Sequence, residues 1–438
     1  MDNVTHALAG CLLAAGTVTI AEHRGFELPR SFRAIASAVG IITAELPDVD
    51  LVYAGSMLGM GKLGYLLHHR GHTHTVLFAV TSALLVWLAT LAFRRETRTL
   101  PIRNVLLVLA LLGTGSHLAL DYTNNYGVHP FWPLVNRWFY GDAVFIVEPW
   151  FWIVAIPPLY LFYRGRVPRS VLGFLLITIL VASWLLGMVG GGVAAALTAA
   201  TFAWMQCLRV VRGERRIAYG VGAWLAVETV FGVASAQARA AVQASVGTHT
   251  FRDVSLTPLI GNPLCYRALV VEVDGPTYRV TNAMIAPFNR VRNAAACVSQ
   301  GEDNLLSGSA FGSTLSAHVS NESVRWDNEW SAPLSDLQHI VSTHCEAAAA
   351  MEFMRVPVWS ELKNGDVEIR DARFGTGARG FASLTASAHP RQCPRFLPGW
   401  TPPRNDLLRQ EAFGAPRDWI GGIEGEDYTR VNKAAEYE

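Results

Sequence analysis

The stretch HHRGHTHTVLFAVTSALLVWLATLAF, residues 68 to 93, joins four histidines and an arginine directly to an apolar run without a single charge. The apolar part is close to the roughly 20 residues a helix needs to cross a bilayer. A polar, imidazole-rich lip on such a segment is costly to hold near hydrocarbon and marks a place for chemistry. Similar runs occur at about 4–21, 34–46, 105–120, 150–163, 171–188, 193–211 and 217–236. With 75–93 they make eight segments, of which 34–46 and 150–163 are short enough to be buried inside a bundle or re-entrant.

Composition agrees with that reading. Apolar residues make up 51% of the 438-residue chain and charged residues 16%, against roughly a quarter charged in soluble domains. The mean hydropathy is +0.25. A formal net charge of +1 gives no pull toward nucleic acid. The start Met1-Asp2-Asn3 lacks the basic region of a secretory signal, so the first apolar run reads as a retained span. Apolar character ends near Ala240. The expected organisation is therefore a multi-pass transmembrane domain over 1–239 and a soluble domain over 240–438.

Basic residues collect in cytoplasmic connections. Arg24, Arg30 and Arg33 follow the first segment, and Arg94, Arg95, Arg98 and Arg103 the third. Arg164, Arg166 and Arg169 follow the fifth, and Arg209, Arg212, Arg215 and Arg216 the seventh. Every second connection is basic, while Gly187 to Gly192 carries no charge. This alternation places the N-terminus and residues 240–438 outside the cytoplasm. Four of the six cysteines, Cys265, Cys297, Cys345 and Cys393, lie in that outside part, where two disulfides in any of three pairings suit an oxidising compartment. The same topology brings Asp2 to His6, Pro47 to Asp50, His68 to His74 and His117 to Glu148 to one outer face.

The soluble part reads as mixed α/β with a β bias. Arg267 to Val273, Asp274-Gly275 and Thr277 to Thr281 predict a hairpin, as do Val356 to Leu362, Asn364-Gly365 and Val367 to Phe374. Residues 304–321, rich in Ser and Gly, read as loop, and the polar tail beyond Pro402 as poorly ordered.

Within the outer cluster, Asp2 and His6 are four apart on one helical face, as are His117 and Asp121. Asp48 and Asp50 supply two carboxylates at the end of the second segment. Imidazole with carboxylate is the donor set of Zn, Fe or Mn, and carboxylate-rich sites also take Mg or Mn. Plainer readings stand beside each motif: Asp2 as a charge at a helix start, Asp48 and Asp50 as capping residues, and each histidine as a hydrogen-bonded interface residue. Pro130-Phe131-Trp132-Pro133 and Trp138-Phe139-Tyr140 read as an interfacial aromatic belt or a lipid-binding lip. Asp142 and Glu148 read as solvated loop acids, with added metal ligands as the alternative. His249, His318, His339, His344 and His389 show no ligand spacing, and no Gly-x-Ser-x-Gly elbow argues for a serine hydrolase.

The combination resembles the YdjM-like membrane-bound metal-dependent hydrolases of bacteria. The resemblance rests on Asp2, Thr5-His6 and Gly10; Leu46-Pro47-Asp48-Val49-Asp50; His69-Arg70-Gly71 with Thr73-His74; His117 with Leu120-Asp121, Thr123 and Tyr126-Gly127; and Pro130-Phe131 with Pro149. It covers about the first third of the chain, and Asn262-Pro263-Leu264 with Arg267 is similar to the segment after the helices in longer members. It implies a multi-pass inner-membrane hydrolase of undefined substrate, and favours His69 and His74 over the variable positions His68 and His72. Thr75 stands where serine is usual, and Glu148 where aspartate is usual, keeping the carboxylate one methylene further out.

The reading that results is an α-helical membrane bundle with an extracytoplasmic, disulfide-containing domain. His6, Asp48, Asp50, His69, His74, His117 and Asp121 are its candidate metal ligands. The divalent ion is Zn first, with Mn, Fe or Mg as alternatives, and the Asp48–Asp50 pair suits one ion or two. Arg70 is the candidate contact for a substrate anion, and Asp48 or Asp121 the candidate general base. Membrane lipids or a lipid-linked phosphoester are the expected substrates. A metal transporter or sensor, and a non-enzymatic scaffold, are the rival classes.

Overall fold

The computed structural model describes residues 1–55, 57–297, 318–375, 380–389 and 392–408. Each apolar run is a helix: α1 (Asn3–His23), α2 (Phe32–Glu45), α4 (Val76–Phe93), α5 (Leu100–Tyr122), α6 (Pro149–Phe162), α7 (Arg166–Leu185), α8 (Gly191–Val210) and α9 (Gly213–Ser245). A short α3 (Gly61–His68) precedes the histidine run. Six of them, α1, α4, α5, α7, α8 and α9, are long and apolar enough to cross a membrane. The two short segments, α2 and α6, have 14 residues each. That is about 21 Å of helix against a hydrocarbon layer of about 30 Å. α6 is enclosed by α1, α7, α8 and α9, and nearly all its side chains from Phe151 to Leu159 are buried.

Close backbone approach sets how the first helices meet. A Cβ on Gly10 of α1 would stand 2.3 Å from the Gly40 carbonyl oxygen of α2, so only glycine permits this contact. On α5, a Cβ at Gly113 would stand 2.0 Å from Thr43 Oγ1. These contacts bring the start of α1, the end of α2 and the end of α5 together. Asp2 caps α1 by accepting the Thr5 N–H, and Thr75 caps α4 by accepting the Phe78 N–H. His6 is thereby fixed in the first turn of α1, and His74 just ahead of α4.

At about 1.5 Å per residue, the 33-residue α9 is about 50 Å long and projects well beyond the bilayer. The change of composition near Ala240 falls inside this helix. Its last turns carry Ala234, Ala238 and Val242 against Val254, Leu256, Tyr266 and Val270 of a sheet. That sheet is an antiparallel meander in the order β1 (Phe251–Leu259), β2 (Asn262–Asp274), β3 (Thr277–Ile285) and β4 (Val324–Pro333). α10 (Leu334–Thr343) and α11 (Cys345–Ala350) lead to a second antiparallel sheet of β5 (Pro357–Glu361), β6 (Val367–Asp371) and β7 (Ser383–Ala386). A last helix, α12 (Asn405–Leu408), follows.

Both hairpins are present, each with a shifted turn. In the first, Asp274 pairs with Thr277, so the loop is Gly275-Pro276 and Gly275 takes the positive φ of 56° at its first position. In the second, Leu362 N–H bonds Asp366 O, leaving a three-residue loop that ends on Gly365 at φ 83°. The disulfides pair Cys265 with Cys297 and Cys345 with Cys393, while Cys11 and Cys207 are free. Most of the predicted loop at 304–321 lies outside the described residues.

Three expectations are corrected by burial. Trp138 is buried against Phe353 and donates its indole N–H to Glu352 O, so that part of the aromatic belt is an interdomain floor, whereas Leu134 is 91% exposed. Asp142 and Glu148 are fully buried and not solvated. The chain just beyond Pro402 is ordered, with Arg404 and Leu407 buried; residues 409–438 lie outside the described ones.

Candidate metal centre

Three elements deliver the donors. The 3-10 turn Leu46–Val52, entered through Pro47, directs Asp48 and Asp50 inward. His74 closes the tight turn after α3, where its N–H bonds Gly71 O and Arg70 adopts a φ of 60°. His117 and Asp121 share one face of α5.

Side-chain atoms of Asp48, His74, His117 and Asp121 converge, all within 4.8 Å of one another and all buried. Asp48 Oδ1 is 3.3 Å from His74 Nε2 and 3.5 Å from His117 Nε2. Asp121 Oδ2 is 2.9 Å from His74 Nε2 and 3.4 Å from His117 Nε2, and the two Nε2 atoms are 3.1 Å apart. A tetrahedral ion with bonds of about 2.0–2.1 Å sets its donors about 3.3–3.4 Å apart, so the observed spacings fit one. The carboxylate atoms facing this point, Asp48 Oδ1 and Asp121 Oδ2, are buried and face the His74 and His117 imidazoles. Two carboxylates and two imidazoles converging on one point are a donor set that could hold a divalent cation.

The far sides of the ligands are held. His117 Nδ1 donates to Ala44 O at 2.5 Å, which leaves Nε2 as the donor atom toward the cluster. His74 Nδ1 lies 3.0 Å from Thr73 Oγ1 and 3.3 Å from Asp50 Oδ2. Asp50, with Asp48 and His69, belongs to a second possible group. Its oxygens are already engaged, however: Oδ1 faces His69 Nδ1 at 2.9 Å, and Oδ2 accepts from Arg70 N at 3.0 Å and Thr73 Oγ1 at 2.6 Å. In this arrangement Asp50 orients two imidazoles behind the cluster. His6 flanks it, stacked on His117 at 3.7 Å with Nε2 3.3 Å from Asp121 Oδ1. The Met1 amine also lies against Asp121.

Arg70 is buried. Its guanidinium reaches Asp121 Oδ1 at 3.0 Å and Asn124 Oδ1 at 2.9 Å, lies over Tyr126 at 4.9 Å, and keeps only Nε without a partner among the described residues. Burial raises the carboxyls of Asp48 and Asp50, yet nearby imidazoles outweigh it and hold both well below the usual carboxylate range. Burial opposes charge on His74, but Asp121, Asp48 and Asp50 prevail and push it up to about 10. A cation binding here replaces that proton. His69 moves down, chiefly through burial.

Two histidines of the opening run stand apart. His68 Nε2 is 2.9 Å from Phe396 O, and the His72 ring sits beside Trp132 and Trp400. Sequence reasoning passed over Asn124, Thr73 as a partner of Asp50, and His129, which is stacked on Trp400 at 3.8 Å. Thr73 lies inside the quoted motif; nothing local marks the other two. Asp142 and Glu148 are not among the convergent donors. Asp142 pairs with Arg355 and Arg239, and Glu148 caps α6 and accepts the Gly261 N–H, burial pushing its carboxyl up to about 8.

Residues 1–191 match the model of the family described as YdjM inner membrane protein. No curated protein and no solved structure matches the chain.

Proposed function

We propose, from the match of residues 1–191 to the YdjM inner-membrane family and the convergence of carboxylates and imidazoles within them, that the protein is a membrane-bound metal-dependent hydrolase. The observation that carries this is the buried set Asp48, His74, His117 and Asp121, whose carboxylate oxygens and imidazole nitrogens converge at the spacing of metal ligands. A divalent cation held by these residues would supply polarisation of an ester oxygen and a lowered pKa for a bound water. Zinc fits the spacing first, with Mn, Fe or Mg as alternatives.

The chain's own residues supply the rest. Asp48, at 9% exposure the most accessible of the four, is placed to take the proton of the attacking water. Arg70 holds Asp121 and offers its Nε–H to a substrate anion. The substrate we favour is a phosphoester on a lipid or lipid-linked molecule. Exposed Val49, Leu51 and Val52 beside Asp48, and Phe131, Leu134 and Val135 beside the start of α4, support access from a lipid surface. The two disulfides and the basic opposite connections support an extracytoplasmic site.

The rival transport reading calls for donors near the bilayer midplane on broken helices. These donors lie at helix ends on the side that carries the sheet domain, which favours hydrolysis. The test is purified protein in lipid nanodiscs loaded with Zn or Mn and offered phospholipids and phosphoesters. Hydrolysis that His74→Ala and Asp121→Asn abolish supports the proposal; no turnover of either class, with no effect of the substitutions, sinks it.

A further inference from the structure

Behind the metal centre stands a second set of buried charges that the proposed chemistry does not use. Arg355 precedes β5 and Arg373 follows β6, so both belong to the outside domain. Their side chains are buried. Both reach into the connection between α5 and α6, the segment that continues from Asp121. Arg355 holds Asp142 with a forked pair, Nη1 to Oδ1 at 2.8 Å and Nη2 to Oδ2 at 3.0 Å. Arg373 donates Nη1 to Asn125 O at 2.6 Å. Asp371 ties the two together, accepting from Arg355 N at 2.8 Å and from Arg373 Nη2 at 2.7 Å.

From there a short path of hydrogen bonds leads to the cluster. The segment around Asp142 lies against the turn after α5: Gly141 N–H bonds Tyr122 O at 2.7 Å and Ala143 N–H bonds Thr123 O at 2.7 Å. A Cβ at Gly141 would stand 2.5 Å from Tyr122 O, so the two backbones have no slack between them. In that turn, Asn124 Oδ1 accepts from Arg70 Nη1, and Arg70 Nη2 meets Asp121 Oδ1. Both arginines lie beyond residues 1–191, so the family match assigns them nothing.

We propose that Arg355 and Arg373 are positioning residues of the metal centre. The outside domain clamps the turn 122–126 and so sets how Arg70 presents Asp121 to the cation. This rests on the metal-centre reading above. Guanidinium suits the task because a planar fork fixes direction as well as charge, which a lysine at the same place does not.

The test uses full-length protein in nanodiscs with Co2+ alone as the probe, reading the visible ligand-field spectrum and the Co2+ affinity by titration. Arg373→Lys and Arg355→Lys keep the buried charge while losing the fork. They are expected to shift the Co2+ bands and weaken binding by about 10-fold, the low end for outer partners of metal ligands. Asn124→Ala, on the membrane side of the same path, is expected to do likewise. Arg325→Ala, which removes an ion pair with Asp327 elsewhere in the outside domain, is expected to leave both readings unchanged. Wild-type spectrum and affinity in the two lysine variants, with both disulfides formed, overturn the proposal. If a lysine variant fails to fold, Asn124→Ala decides: a wild-type spectrum and affinity overturn it equally. Absence of Co2+ binding by the wild-type protein sinks the metal-centre reading itself, and is distinguishable from either result.

Discussion

The protein buries two charge clusters, one on each side of the turn that follows α5, and they are built to opposite ends. Around Asp142, every charge meets its opposite: Arg355 and Arg239 surround the carboxylate, and Asp253 takes the other edge of Arg355. Around Asp121, carboxylates and imidazoles converge on one point. A buried network of opposite charges fixes a geometry. A buried set of metal-ligand type could hold a cation. Burial alone therefore does not separate structure from function here; the kinds of group that converge do.

Four outcomes sharpen or break this contrast. The largest effect is expected at the open cluster: His117→Ala or Asp121→Asn should reduce bound metal from one ion per chain to none. They should also erase the thermal stabilisation that added zinc confers on the wild type, about 4 kcal/mol at a thousandfold excess over Kd. Elemental analysis and melting curves decide it, and stoichiometric metal in both variants would refute the ligand set. The closed cluster should behave otherwise. Arg355→Met takes the forked partner from buried Asp142 and one of two arginines from Asp253, and is expected to cost about 3–5 kcal/mol in unfolding, while metal content at saturating zinc stays at one per chain.

Asp50 tests the boundary between holding and ligating. As an orienting carboxylate, Asp50→Asn should weaken metal binding about 10- to 100-fold without changing the stoichiometry. A fall from two ions to one would instead make Asp50 a ligand of a second site. The smallest effect, taken per unit of pH, is a slope. His74 is pushed up to about 10 and must lose its proton to bind a cation. Affinity should therefore rise by up to tenfold per unit between about pH 6 and 9, with proton release visible by calorimetry in buffers of different ionisation enthalpy. A flat profile would show that His74 enters the site already neutral.

Much of the fold is legible from local pattern. Apolar run length marks the eight helices, and glycine at the turns marks the two hairpins. Turn positions slip by a residue or so, because Pro276 and the Leu362 to Asp366 pairing decide which residues close each loop. Which cysteines pair is not local at all: Cys265 and Cys297 are separated by 32 residues, and Cys345 and Cys393 by 48. The same limit explains Asp142 and Glu148. A loop acid reads as solvated until a second domain covers it.

By itself the sequence determined that the chain is a membrane bundle followed by a β-biased domain, and it grouped His6, Asp48, Asp50, His69, His74, His117 and Asp121 on one polar face. These follow from hydrophobic length, charge alternation and helical spacing, all short-range quantities. Only the tertiary structure decided that His68 and His72 serve the packing against Phe396 and Trp400, that Asp50 stands behind the imidazoles, and that Arg70 is held by Asp121 and Asn124. Those roles depend on which atoms remain unsatisfied after distant segments pack, and no local pattern contains that information.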